Sequence, residues 1–130
     1  MKNDPAGAIG TLITGAFDMM ARSLCVSFVC RVLAYDSSSG MATIQPLVRA
    51  TENDSAPIQN VPALGHRFTL EGVEHEYRPA LRAGDAVLVV CTDHELKNTL
   101  TGQITGTSSQ RSHDHNDAVI VGVLPCSLQS

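Results

Sequence analysis

Five ionisable side chains, Arg111, His113, Asp114, His115 and Asp117, fall within seven residues just before an apolar run from Ala118 to Leu124. His113 and His115 form an HxH pair. On one strand both imidazoles would project to the same side, and with Asp117 they could hold a transition metal such as iron or zinc. Three chains meeting on an axis would bring six imidazoles together, an octahedral set. A solvated loop is the commoner outcome for two histidines at this spacing. No metal or other cofactor is therefore expected, and His113 and His115 are the candidate ligands if one binds.

Other catalytic arrangements find less support. His66, His75 and His94 are scattered over separate elements and read as surface or hydrogen-bonding histidines. No serine sits in a GxSxG elbow, and no cysteine has a local His/Asn signature. Gly102 and Gly106 lack the Lys and Ser/Thr that a phosphate loop would place after them. Nucleic-acid binding by a small barrel needs aromatics interleaved with Lys or Arg. Phe68, Tyr77 and Tyr35 with Arg31, Arg67 and Arg78 are the candidates, but Glu71, Glu74 and Glu76 share their hairpin. With a formal charge of −4, the chain is not expected to bind nucleic acid or to be an enzyme.

These groups need a scaffold, and 130 residues allow one core. At 43% hydrophobic and 17% charged the chain is globular. With three Phe, two Tyr and no Trp, its interior is built from Val, Leu, Ile and Ala. Pro5 to Leu24 reads as a helix with Asp4 as N-cap and Pro5 at its first position. Ile9, Leu12, Ile13, Ala16, Phe17, Met20 and Leu24 make one apolar stripe. The stripe packs either on its own domain or on a neighbouring subunit, which makes Ile9, Leu12, Ile13, Phe17 and Met20 candidate partner-binding residues. Polar and glycine interruptions make this segment too short and broken to cross a membrane, and its charges make a poor signal peptide. The chain reads as soluble and synthesised in the cytoplasm.

After Cys25 the period becomes alternating, with Val26, Phe28, Cys30, Val32 and Ala34 on one face and Ser27, Arg31 and Tyr35 on the other. A turn at Asp36 to Gly40 predicts a return strand over Met41 to Arg49. Ile58 to Leu64 is a short strand whose Pro62 marks an edge or a bulge. His66 to Tyr77 is a hairpin turning at Glu71 and Gly72. Arg82 to Asp85 is a tight turn launching Ala86 to Cys91, an apolar run expected to be buried on both faces. Asp93 is expected to cap a short helix from His94 to Leu100, ended by Gly102, and Ile104 to Gln110 is a polar loop.

Cys25 and Cys30, five apart on one strand, would lie roughly 16 Å from each other at ~3.3 Å per residue. Cys91 and Cys126 sit at strand ends, so four buried free thiols are expected. The architecture predicted is mainly β: an N-terminal helical arm (residues 1–24), a five- to six-stranded barrel (25–126) with a short helix before its last strand, and a C-terminal tail (127–130).

Taken in order, several landmarks resemble a phage family. They are Ala34-Tyr35-Asp36, the run Ala42 to Leu47, Ile58 to Pro62, Pro79 to Asp85 leading into Val87 to Val89, and Arg111 to Asp114 followed by Asn116 to Ile120 and Pro125. They are similar to the N-terminal OB-fold domain of the central spike proteins of contractile-tailed bacteriophages. The resemblance implies a structural virion protein with no active site. It would be a homotrimer at the tail baseplate, joined to the hub and to a membrane-piercing needle that transiently meets the host outer membrane. It also implies a structural role for Arg111, His113, Asp114 and Asp117, which would fix the loop before the last strand by charge-assisted hydrogen bonds, and for Gly84 and Asp85. The needle that usually follows the barrel is missing by Ser130, so a separate needle or tip protein is expected, with this chain as spike or adaptor. The alternative function is a single-stranded nucleic-acid-binding OB-fold module.

Overall fold

Strands with alternating apolar residues bury one face each, and here five of them pair into a single antiparallel sheet. The computed structural model describes residues 5–23, 25–49, 52–106 and 112–128. Asp4, Leu24, Arg111 and residues 107–110 lie outside the described residues. With them fall the predicted helix cap, the last position of the arm stripe, the arginine of the last motif and the end of the polar loop.

The order of elements is α1 (Pro5–Ser23), β1 (Ser27–Asp36), β2 (Met41–Pro46), β3 (Ile58–Pro62), β4 (His66–Leu70), β5 (Val73–Tyr77), β6 (Ala86–Cys91) and β7 (Ala118–Val123). Single 3-10 turns lie at Lys97–Thr99, His115–Asp117 and Pro125–Ser127. The large sheet has the order β3-β2-β1-β6-β7, and β4-β5 is a separate hairpin. Among the described residues the curled sheet thus has five strands, within the five to six predicted for the barrel, and the β4–β5 hairpin stands apart from it.

Three register shifts curl the large sheet into a half-barrel. Leu33 is the extra residue between β1 and β2, Val121 between β6 and β7, and β2 and β3 slip between Ala42 and Ile44. Each bulge bends its strand and raises the local twist. The two edges consequently approach: Ala63 and Ile120 form a parallel bridge, and the Leu64 N–H donates to the Ile120 carbonyl at 3.1 Å. Pro62 ends an edge strand, as expected of a residue without an N–H.

Inside the curl lie Cys30, Val32, Ala42, Ile44, Ile58, Val61, Val87, Val89, Ala118 and Ile120, with Phe28, Tyr35, Leu81 and Val123 packed at the margin. The bulge at Leu33 changes the phase of β1. Ala34 is exposed and Tyr35 turns inward, the reverse of simple alternation. β6 is also corrected: Val87, Val89 and Cys91 are buried, while Leu88 and Val90 remain 37% and 36% exposed. An antiparallel sheet needs cover on one face only, and every described arm side chain from Pro5 to Met20 is exposed rather than laid over β6.

Turn chemistry works as predicted for the hairpins. Glu71 and Gly72 both have positive φ, 51° and 77°, the geometry of a two-residue I′ hairpin turn. Asp36 accepts from the Ser38 N–H and from the Ser38 and Ser39 hydroxyls. The Ser38 hydroxyl and then its N–H hold the Asp36 carboxyl below its ordinary range. The helix predicted over His94 to Leu100 shrinks to the one 3-10 turn at Lys97–Thr99, preceded by Leu96 rather than capped by Asp93. The return strand stops at Pro46 and β3 at Pro62.

The cysteines depart most from expectation. Cys25 precedes β1 and faces Cys91 at the end of β6, their Cα atoms 6.1 Å apart, and the two form a disulfide. The antiparallel pairing of β1 with β6, which sets Ser27 against Val90, brings them together across 66 residues. Cys126 is exposed, and Cys30 is buried, which pushes its thiol up to about 12. The unfolded Cys30 thiol ionises near its ordinary 9.0, so this group lowers stability as pH rises from there toward 12. In the oxidised native protein a thiol reagent near neutral pH, about 7–8, is expected to label Cys126 promptly and Cys30 only after denaturation. Reductant should release two further thiols, Cys25 and Cys91. Prompt labelling of all four without reductant would contradict the pairing.

Candidate functional site

The residues singled out near the C-terminus gather around the end of β6, and the sequence places them there through backbone bonds. Asp114 caps the 3-10 turn His115–Asp117: its Oδ1 accepts from the Asn116 N–H at 2.8 Å, and its carbonyl accepts from the Asp117 N–H at 2.9 Å. Asp117 is 2% exposed. A buried carboxylate needs donors, and Oδ1 receives the Leu96 N–H at 3.2 Å. Its carbonyl receives the Thr92 N–H at 3.0 Å, and the Thr92 hydroxyl reaches the His94 carbonyl at 2.6 Å. One short turn thereby holds the whole segment that follows β6.

His113 does not sit on a strand. It occupies a bend with φ 51°, and His115 lies on the 3-10 turn, so the same-side HxH geometry that a strand would give does not form. His113 Nε2 is 2.9 Å from Asp93 Oδ1, its Nδ1 is buried with no hydrogen-bond partner among the described residues, and its carbonyl accepts the Cys25 N–H at 3.1 Å. His115 instead lines a groove that His113 does not touch. Among the described residues no group of three or more His, Cys, Asp or Glu could hold a metal.

Gly84 and Asp85 act at the other end of β6. Gly84 has φ 97°, a conformation that side chains resist. Asp85 Oδ2 accepts the Arg82 N–H at 2.9 Å, closing the tight turn. The Asp85 carbonyl accepts from the Val32 N–H and the Gly84 N–H donates to the Val32 carbonyl, both at 2.8 Å. The turn is thus docked beside the β1 bulge. Ser127 adds a tie from the end of the chain, its hydroxyl oxygen accepting the Ala86 N–H at 2.8 Å.

The groove is the feature that residue spacing did not reveal. Its cavity volume is about 510 Å³, and Val26, Phe28, Val48, Pro57, Ile58 and His115 are among its walls. It opens beside Cys25, where the arm joins the barrel. Ile9, Leu12, Ile13, Phe17 and Met20 all stand exposed on α1, so the predicted stripe exists but does not cover its own barrel. On the separate hairpin, Phe68 stacks with Tyr77 at 4.7 Å and with His75 at 5.6 Å between ring centres. Arg67 pairs with Glu74 and Arg78 with Glu76. Tyr35 is elsewhere, its hydroxyl donating to the Pro79 carbonyl.

Set against known proteins, the chain matches no protein-family model and no curated protein. Among the described residues no helix is long and apolar enough to cross a membrane.

Two substitutions separate the buried carboxylate from the exposed one. Asp117→Ala strips the Leu96 N–H of its acceptor and is expected to lower stability by about 1–3 kcal/mol in urea unfolding. Asp93→Ala removes a partner whose side chain is 78% exposed and should cost under ~1 kcal/mol. Equal losses would mean that Asp117 does not brace the loop.

Proposed function

We propose that the chain is a structural virion protein of a contractile phage tail, a trimeric central spike or spike adaptor at the baseplate. It would join the hub to a separate membrane-piercing needle and so aid entry through the host outer membrane. The observation that carries this is the strand connectivity. β1, β2 and β3 run as a meander, β7 meets β3 through the parallel Ala63–Ile120 bridge, and β6 returns to β1. That order, 1-2-3-7-6, is compatible with a five-stranded, partly open OB barrel carrying the β4–β5 hairpin as an insertion, and it supports this reading.

The family landmarks fall at the structural hinges of this arrangement. Ala34-Tyr35-Asp36 spans the end of β1, Arg82 to Asp85 forms the turn docked on Val32, and Asp114 to Asp117 caps and braces the start of β7. In this reading no residue is catalytic and no metal or cofactor is needed. The exposed arm supplies contacts between copies.

The stacked Phe68–Tyr77 pair favours a second reading, a module that stacks single-stranded bases. The glutamates paired with Arg67 and Arg78 work against it.

Light scattering on a sizing column tests the first reading. Three chains of 13.8 kDa should give about 41 kDa. A monomer that persists at high concentration would sink it. Titration with single-stranded oligonucleotides at low and moderate salt, about 50 and 200 mM, tests the second. Salt-dependent quenching of tyrosine fluorescence would favour nucleic acid, and a flat response removes that reading.

A further inference from the structure

We infer that the groove beside Cys25 is the receptor for the helical arm of a second copy of this chain. The inference rests on the trimer reading above only for the number of copies in the ring. Three features single out this occupant.

The first is chemistry. Among the described residues no Asp, Glu, Lys or Arg lines the groove, and Val26 and Val48 on its walls are exposed. The arm from Pro5 to Met20 carries Asp18 as its sole charge. A groove whose Val26, Phe28, Val48 and Ile58 walls are interspersed with Ser27, Ser55, His115 and Asn116 can take the apolar anchors of a helix face at successive turns, in the helix-in-groove mode.

The second is size. Ile9, Ile13, Phe17 and Met20 recur at intervals of four, four and three, on one side of α1 over about 16 Å. A removed large apolar side chain leaves a cavity on the order of 150 Å³. A groove of about 510 Å³ therefore takes three or four such anchors. With Leu12 included, the stripe exposes roughly 100 Å² per anchor, about 500 Å² per arm. In a closed ring each copy makes the contact twice, once with its arm and once with its groove.

The third is reach, and it decides between a copy's own arm and its neighbour's. α1 ends at Ser23, and Cys25 is already a wall of the groove, so one residue separates them. Folding a helix back on the segment that follows it takes a connection of about 2–5 residues. An arm cannot reverse into its own groove without losing its last turn. The neighbour's arm meets no such limit.

Photo-crosslinking of the full chain tests this. Phe17 is replaced by p-benzoylphenylalanine, and the protein is mixed with isotopically heavy wild-type chain before irradiation. The expected product is a light–heavy adduct mapped to peptides containing Val48 or Pro57. Two charge insertions, Phe17→Asp in the arm and Val48→Asp in the groove, should each weaken association at least tenfold by light scattering. Ile104→Asp, at a fully exposed position away from the groove, should leave the mass unchanged. A trimer whose adducts map elsewhere would overturn the groove assignment and leave the spike reading standing. Adducts within one chain would overturn the inference as well, and a persistent monomer without adducts would overturn both readings.

Discussion

The junction at the end of β6 is the constraint on which the rest of this structure depends. Within a few residues, Cys91 is tied covalently to Cys25 and donates its N–H to Val26, Cys25 donates to His113, and Thr92 and Leu96 donate to Asp117. Buried backbone donors must find acceptors, and at this point the sheet ladder can no longer supply them. The 3-10 turn before β7 fills the gap. The entry to β7 and the wall of the groove are thereby set together.

The opposite end of β6 repeats the logic with different parts. The Gly84–Asp85 turn bonds twice to Val32, next to the residue that bulges out of β1. A bulge leaves a strand locally short of partners, and the turn supplies them. Held at both ends, β6 can pair with β1 on one side and β7 on the other while the sheet curls. That curl brings β3 to β7 and shields two edges that would otherwise offer open hydrogen-bonding rows.

Features written in local chemistry were legible in the sequence. The helical stripe, the turns at Asp36–Gly40, Glu71–Gly72 and Gly84–Asp85, and the edge role of Pro62 each depend on a few neighbouring residues. What could not be read depends on register between distant segments. The inward turn of Tyr35 follows from one extra residue at Leu33, which no pattern of polarity marks. Cys25 meets Cys91 only because β1 and β6 are antiparallel at one particular offset. Asp93 looked like a helix cap by composition, yet His113, twenty residues on, takes its carboxylate. Same-side projection of the HxH pair would have required a strand, but the positive φ at His113 and the turn at His115 direct one toward Asp93 and the other to the groove.

The arm brings local propensity and association into one equilibrium. An isolated helix of this length is marginal in water, and α1 includes Gly7, Gly10 and Gly15, each costing up to about 1 kcal/mol relative to Ala. Its own barrel gives it no cover, as the exposure from Ile9 to Met20 shows. A helix that is weak by propensity and uncovered by tertiary packing gains its stability from whatever surface buries its stripe. In the proposed ring, docking would carry the ordering cost of the arm, and the copies would close only when enough apolar area is removed from water to exceed that cost. On that proposal the glycines would act against premature collapse of a free arm and in favour of folding on the neighbouring copy.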